Sequence, residues 1–214
     1  MEMLPLPQKC MYVWRGELIN MDKKVLKLVS PIPMSVNHYL GTRVVMKNKK
    51  PMAMVYETGD AKKYKKIFGE YIKEQVKLQN WIMNEDKTRH VYCDCVFYFD
   101  RMVKDCNNYF KLLLDSITES EVVWIDDNVV CERVNRIYYD SSNPRIELSI
   151  YTTDYIGIFD NKEQLDEFED KCRTCKRYKR NCSILNKAKE GRIQEEICDL
   201  VCSKYNKTKF LQKL

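Results

Sequence analysis

Between Asp60 and Trp81 the apolar positions Tyr64, Ile67, Phe68, Tyr71, Ile72 and Val76 recur at three- and four-residue spacing, broken by the polar Gln75 and interleaved with lysines. That period predicts a long amphipathic helix. From His90 to Asp100 the period shortens to two, so that Val91, Cys93, Cys95, Phe97 and Phe99 share one face of a strand and the other face is mixed. Helical spacing returns in KDCNNYFKLLLDSI (104–117), where Tyr109, Leu112, Leu113 and Ile117 would bury one side. CMYVWRGEL (10–18) and KVLKLVS (24–30) read as short strands, after which Pro31 and Pro33 force an extended exit into a polar loop, SVNHYLGTR (35–43). VVWIDD (122–127) leads into a strand, VVCERVNRIYY (129–139), and Asn143-Pro144 turns the chain into a last strand, RIELSIYTT (145–153). The order β, β, α, β, α, β, β predicts an α+β fold, with helices packed on one face of a mixed sheet.

Composition changes after about residue 160, where apolar residues thin out and five cysteines fall between Cys172 and Cys202. The chain therefore divides into a domain over 1–158 and a small, basic, Cys-rich metal-binding extension over 159–214. At 214 residues it can bury a core without disulfides. No run approaches the roughly 18 apolar residues of a membrane span. The start, MEMLPLPQKC, lacks a basic region followed by a long apolar stretch, so a cytoplasmic location without membrane association is expected. Its ten cysteines should then be reduced, which makes the clustered ones metal-ligand candidates. A net charge of +6 favours acidic partners such as nucleic acid.

Asp105 stands between a strand and a helix, where the first-turn amides favour negative charge. It reads as a cap or as a ligand, and Asn107 and Asn108 could also cap. Asp126 and Asp127 read as turn residues or as a second source of carboxylates. From two element ends separated by one helix, these acids could converge on a hard cation such as Mg²⁺. Lys111, two turns or less into the helix, could address a phosphate there. His38 and His90 read as polar loop and strand residues rather than general bases.

PIPMSVNHY (31–39), a long helix, a strand, RMVKDCNNYFKLLLDSI (101–117) and VVWIDDNVV (122–130) follow the order of a PxPxSxNxY loop, an RxxxDxDNxxKxxxDxL helix start and a WxDD pair. Over roughly residues 25–150 this resembles the RusA family of Holliday junction resolvases. The resemblance implies a homodimeric endonuclease, from a bacterium or a phage-infected cell, that binds four-way DNA junctions and uses Mg²⁺ to nick two opposed strands symmetrically. It carries the metal-binding acids to Asp105 and Asp127, with Asp126 beside them, and the helix lysine to Lys111. Asn37, His38 and Tyr39 match a loop assigned to substrate contact or dimer support, with Arg101 and Lys104 added as DNA contacts, and Asn108 matches an asparagine that fixes the helix start. One position departs. Where the family has a second catalytic aspartate this chain has Asn107, whose amide offers one neutral oxygen in place of a charge and weakens any ion site. An impaired nuclease is expected, with a non-cleaving junction- or DNA-binding protein as the alternative.

In the extension, Cys172-x-x-Cys175 fits a zinc knuckle. Cys198 and Cys202 would share one face of a helix suggested by GRIQEEICDLVCSKY (191–205). These four are the expected structural Zn²⁺ ligands, with Cys182 as a substitute and an iron–sulfur cluster as the rival occupant. Lys171, Arg173, Lys176, Arg177, Lys179 and Arg180, with Tyr178 among them, form a run suited to tracking phosphates.

Overall fold

The computed structural model describes residues 24–208. The strand expected at 10–18 lies outside them. The first described strand, β1 (Leu26–Pro31), alternates buried and exposed residues. It is followed by one helical turn, α1 (Val36–Tyr39), a hairpin of β2 (Leu40–Lys47) and β3 (Lys50–Glu57), and the long helix α2 (Gly59–Leu78). Next come β4 (Val91–Phe99), α3 (Asn107–Glu119), β5 (Val130–Tyr139) and β6 (Arg145–Thr152). The polar loop expected at 35–43 is thus the turn α1 and the start of β2, and periodicity did not reveal the hairpin because neither of its strands buries a face.

The main sheet runs β1-β6-β4-β5. β6 is antiparallel to both β1 and β4, whereas β4 and β5 are parallel, so the sheet is mixed as expected. Val91, Cys93, Cys95, Phe97 and Phe99 are all 0% exposed and form the centre of the core with Phe68 and Ile72 of α2 and Tyr109, Leu113 and Ile117 of α3. Ile67, expected on the buried stripe of α2, is half exposed, and the aliphatic stem of Lys65 occupies the stripe in its place. The opposite sheet face is polar and ordered: the Arg133 guanidinium lies 3.7 Å from the Tyr92 ring centroid and donates to Asp94, which also accepts from Tyr151.

The extension folds as α4 (Lys162–Arg173), α5 (Ile184–Lys189) and a hairpin of β7 (Ile197–Cys198) and β8 (Val201–Cys202). Although apolar residues thin out here, Phe159, Leu165, Phe168, Ile184 and Ala188 give it a small apolar core of its own. Asp199 and Leu200 both have positive φ, which makes a two-residue hairpin turn and replaces the helix expected there. Among the described residues no helix is long and apolar enough to cross a membrane.

Candidate nuclease site

α3 begins where the chain leaves β4. Asp105 Oδ1 accepts the N–H of Asn107 at 3.0 Å, and the Asp105 carbonyl accepts the N–H of Asn108 at 3.2 Å. Asp126 has the same geometry one helix later, accepting the N–H of Asn128 at 3.0 Å at the start of a single 3₁₀ turn, Asp127–Val129. Asp126 is the N-cap of its turn, Asp105 precedes the α3 N-cap Cys106, and each keeps a second oxygen. The approach to α3 carries Val103 at φ 70°, a left-handed conformation costly for a β-branched residue. Just before it, Lys104 pairs with Asp100 at 2.5 Å and Arg101 is exposed.

One cluster gathers around Lys111. Its Nζ donates to Asp115 Oδ1 at 2.6 Å, one turn along the helix. That hydrogen bond, with the charges of Asp115 and Asp127 and the nearby Tyr39, raises the Lys111 pKa despite partial burial. Tyr39 is buried against Leu112 and Ala61, while Asn37 and His38 beside it are exposed, with His38 Nδ1 2.8 Å from Ser35 Oγ. Asp115 was not singled out from sequence, although the KxxxD spacing in the matched motif carried the signal.

The expected convergence of Asp105 with Asp127 does not occur within one chain. β4 and β5 are parallel with Val91 opposite Val130, so Asp127, three residues before Val130, lies at the starting end of β4. Asp105 follows the finishing end of β4, which spans roughly 25 Å. The helix between them carries the chain back across the sheet, an arrangement that spacing alone cannot distinguish from convergence. Among the described residues no three His, Cys, Asp or Glu side chains are grouped closely enough to hold an ion.

In the extension, Cys198 and Cys202 also part company. Ile197 pairs with Cys202 and Cys198 with Val201, so the two cysteines point to opposite faces of the hairpin. Cys198 is exposed, its thiol directed to Asp199. Cys172, Cys182 and Cys202 instead pack on the small core. Burial first, and then the nearby Cys202, Cys182 and Cys175, push the Cys172 thiol up to about 11. Cys175 Sγ accepts the N–H of Asn206 at 3.4 Å. Lys176, Arg177, Lys179 and Arg180 are exposed on the turn after Cys175, while Arg173 is tied to Asp170 and Glu169.

The family model for the RusA endodeoxyribonuclease matches residues 31–151, more than half of the chain. The chain belongs to the RusA endodeoxyribonuclease family. Among curated proteins none matches it.

Proposed function

We propose that this protein is a homodimeric, Mg²⁺-dependent endonuclease of four-way DNA junctions whose cleavage is limited by Asn107. The observation that carries this reading is the Lys111 cluster: a helix cation restrained by Asp115 beside Asp127 and Tyr39, on the helix that Asp105 begins, within the span of a nuclease family. Mg²⁺ takes oxygen donors, keeps several waters and needs only one or two carboxylates beside substrate phosphates, so the donor types at Asp105, Asn107, Asp126 and Asp127 suit it. Because these lie at two ends of one strand, we assign the complete ion site to the dimer, in which two-fold symmetry can set one chain's Asp105 end against the other's Asp127 end. When bound, the ion would polarise the scissile phosphate and lower the pKa of a water. Asp105 and Asp127 would hold and orient it. Lys111, kept charged by Asp115, would balance negative charge on the phosphate as the bond breaks. Asn107 removes one negative charge from this set, which leaves DNA binding intact while slowing hydrolysis.

The residues after 158 are read as a separate extension, and its basic turn as a further DNA contact. For its metal we favour Zn²⁺ on Cys172, Cys182 and Cys202, which pack on one small core, with Cys175 three residues after Cys172; no three of these thiols are grouped closely enough as they stand, so closing them on an ion takes rotation of the side chains. Gel-shift titration in Ca²⁺ tests the DNA reading. A labelled four-way junction should bind more tightly than the matched linear duplex and weaken steeply with salt, whereas equal, salt-insensitive binding contradicts it.

A further inference from the structure

The β2–β3 hairpin is exposed at all but Gly41, Val45 and Glu57, which are half-buried, with the Asn48-Lys49 pair in left-handed conformations closing its tip. Register assigns its side chains to two unlike faces. On one lie Arg43, Lys47, Lys50 and Tyr56, with Val45, Met52 and Met54 between them. On the other lie Leu40, Val44, Met46, Pro51, Ala53 and Val55, with Thr42 among them and Glu57 at the base; Val44, Met46 and Val55 are 70%, 68% and 62% exposed. The basic face is built rather than incidental: Tyr56 lies across Gly41, where a Cβ would come within 2.6 Å of the ring, and the Arg43 guanidinium sits 5.5 Å over that ring. A lone two-stranded ribbon with an uncovered apolar face gains little from folding, so what stabilises it in use lies outside it.

We propose that this ribbon is an arm that enters the branch point of a DNA junction. The inference rests on the junction reading above. Charge complementarity selects the occupant: Arg43, Lys47, Lys49 and Lys50 answer a polyanion, with Glu57 at the base as the arm's single acid. Apolar side chains that wedge against base steps use a surface such as the other face, and a branch point presents base-pair faces that a continuous duplex hides. The arm is about 25 Å long, at roughly 3.3 Å per residue. It also springs from the site. Its base is joined to Tyr39 by the Thr58 N–H to Tyr39 C=O bond of 2.9 Å, and Tyr39 neighbours Lys111.

The test uses the full chain in Ca²⁺ with a four-way junction carrying 2-aminopurine beside the branch point, and the matched duplex. Lys47→Gln, Lys49→Gln and Lys50→Gln together should weaken binding of both DNAs and reduce the salt-dependence slope by about 3 for each arm engaged. Val44→Thr, Met46→Gln and Val55→Thr together should leave duplex affinity unchanged, lower junction affinity about tenfold and abolish the 2-aminopurine rise seen with the unaltered chain; a tenfold loss matches one unstacked base contact. If the unaltered chain prefers junctions but both variants match it in affinity and fluorescence, the arm is overturned and the function stands. If the unaltered chain shows no junction preference, both fall together.

Discussion

Lys111 and Asp115 are joined by a 2.6 Å hydrogen bond one helical turn apart, and the charge of Asp127, on the following 3₁₀ turn, also favours the protonated ammonium. The pair fixes a cation that would otherwise sweep a wide arc. In an Asn107→Asp background, Lys111→Met should lower cleavage about 10²–10³-fold, the scale for losing one group that stabilises developing charge. Asp115→Asn should cost less, about tenfold, through kcat rather than KM, with junction affinity in Ca²⁺ unchanged. Equal losses in binding and cleavage would show that the pair is merely structural.

The separation of Asp105 from Asp127 along β4 yields a prediction with an unusual signature. In the same background, Asp105→Asn and Asp127→Asn should each be inactive alone. Mixed and allowed to exchange subunits, they should recover single-strand nicking, because one of the two sites in a heterodimer then receives both intact carboxylates. If each chain holds its own complete site, the mixture stays inactive.

Much of the main domain was legible from periodicity. Val91 to Phe99 alternate because one face of β4 meets α2 and α3, and the helical series from Tyr109 to Ile117 marks the face of α3 that meets the sheet. Asp105, Lys111 and Asp127 were singled out from sequence through the order of the matched pieces. What remained hidden depends on long-range geometry. The β2–β3 hairpin has no buried face to generate a pattern, and parallel pairing of β4 with β5 decides which acids are neighbours. Cys198 and Cys202, at i and i+4, suit a helix, but the left-handed Asp199-Leu200 turn places them in a hairpin and reverses one of them.

That reversal separates the tail cysteines by experiment. Metal analysis of the purified protein should find one Zn²⁺ per chain, retained in Cys198→Ser and lost in Cys182→Ser. Loss in Cys198→Ser with retention in Cys182→Ser would restore the helical ligand set, and iron with sulfide would replace zinc by a cluster.

Gly157, at φ 60°, lies where an added Cβ would sit 2.1 Å from the Ala188 carbonyl oxygen at the end of α5. Gly157→Ala should therefore destabilise the extension by about 1–3 kcal/mol, the scale for strain at a special backbone position. Amide exchange should quicken in 159–190 and remain slow in β4 and β6. Unchanged exchange would mean the turn can move aside.

Lys65 is almost fully buried and bonds both Glu57, at the base of the β2–β3 arm, and Glu119 at the end of α3. Burial alone would lower its pKa, but the hydrogen bonds and charges of Glu119 and Glu57 outweigh it and raise the value above the ordinary 10.5. A raised folded-state value means that this stabilisation is complete below 10.5 and disappears only as pH rises through the folded value. Lys65→Met should cost about 1–3 kcal/mol at pH 7, seen in chemical denaturation, with the gap to the unaltered protein closing only above pH 10.5. A gap that closes near neutrality would contradict the assignment.

Asn107 separates a nuclease from a protein that only binds junctions. Cleavage of a labelled four-way junction in Mg²⁺ should be compared between the unaltered chain and Asn107→Asp, with binding of both measured in Ca²⁺. Equal binding is expected, with paired symmetrical nicks about 10²–10³-fold faster in the variant, because one restored carboxylate completes the ion's charge balance. Two chains that bind the junction equally and leave it uncut would contradict the nuclease assignment and identify a junction-binding protein instead.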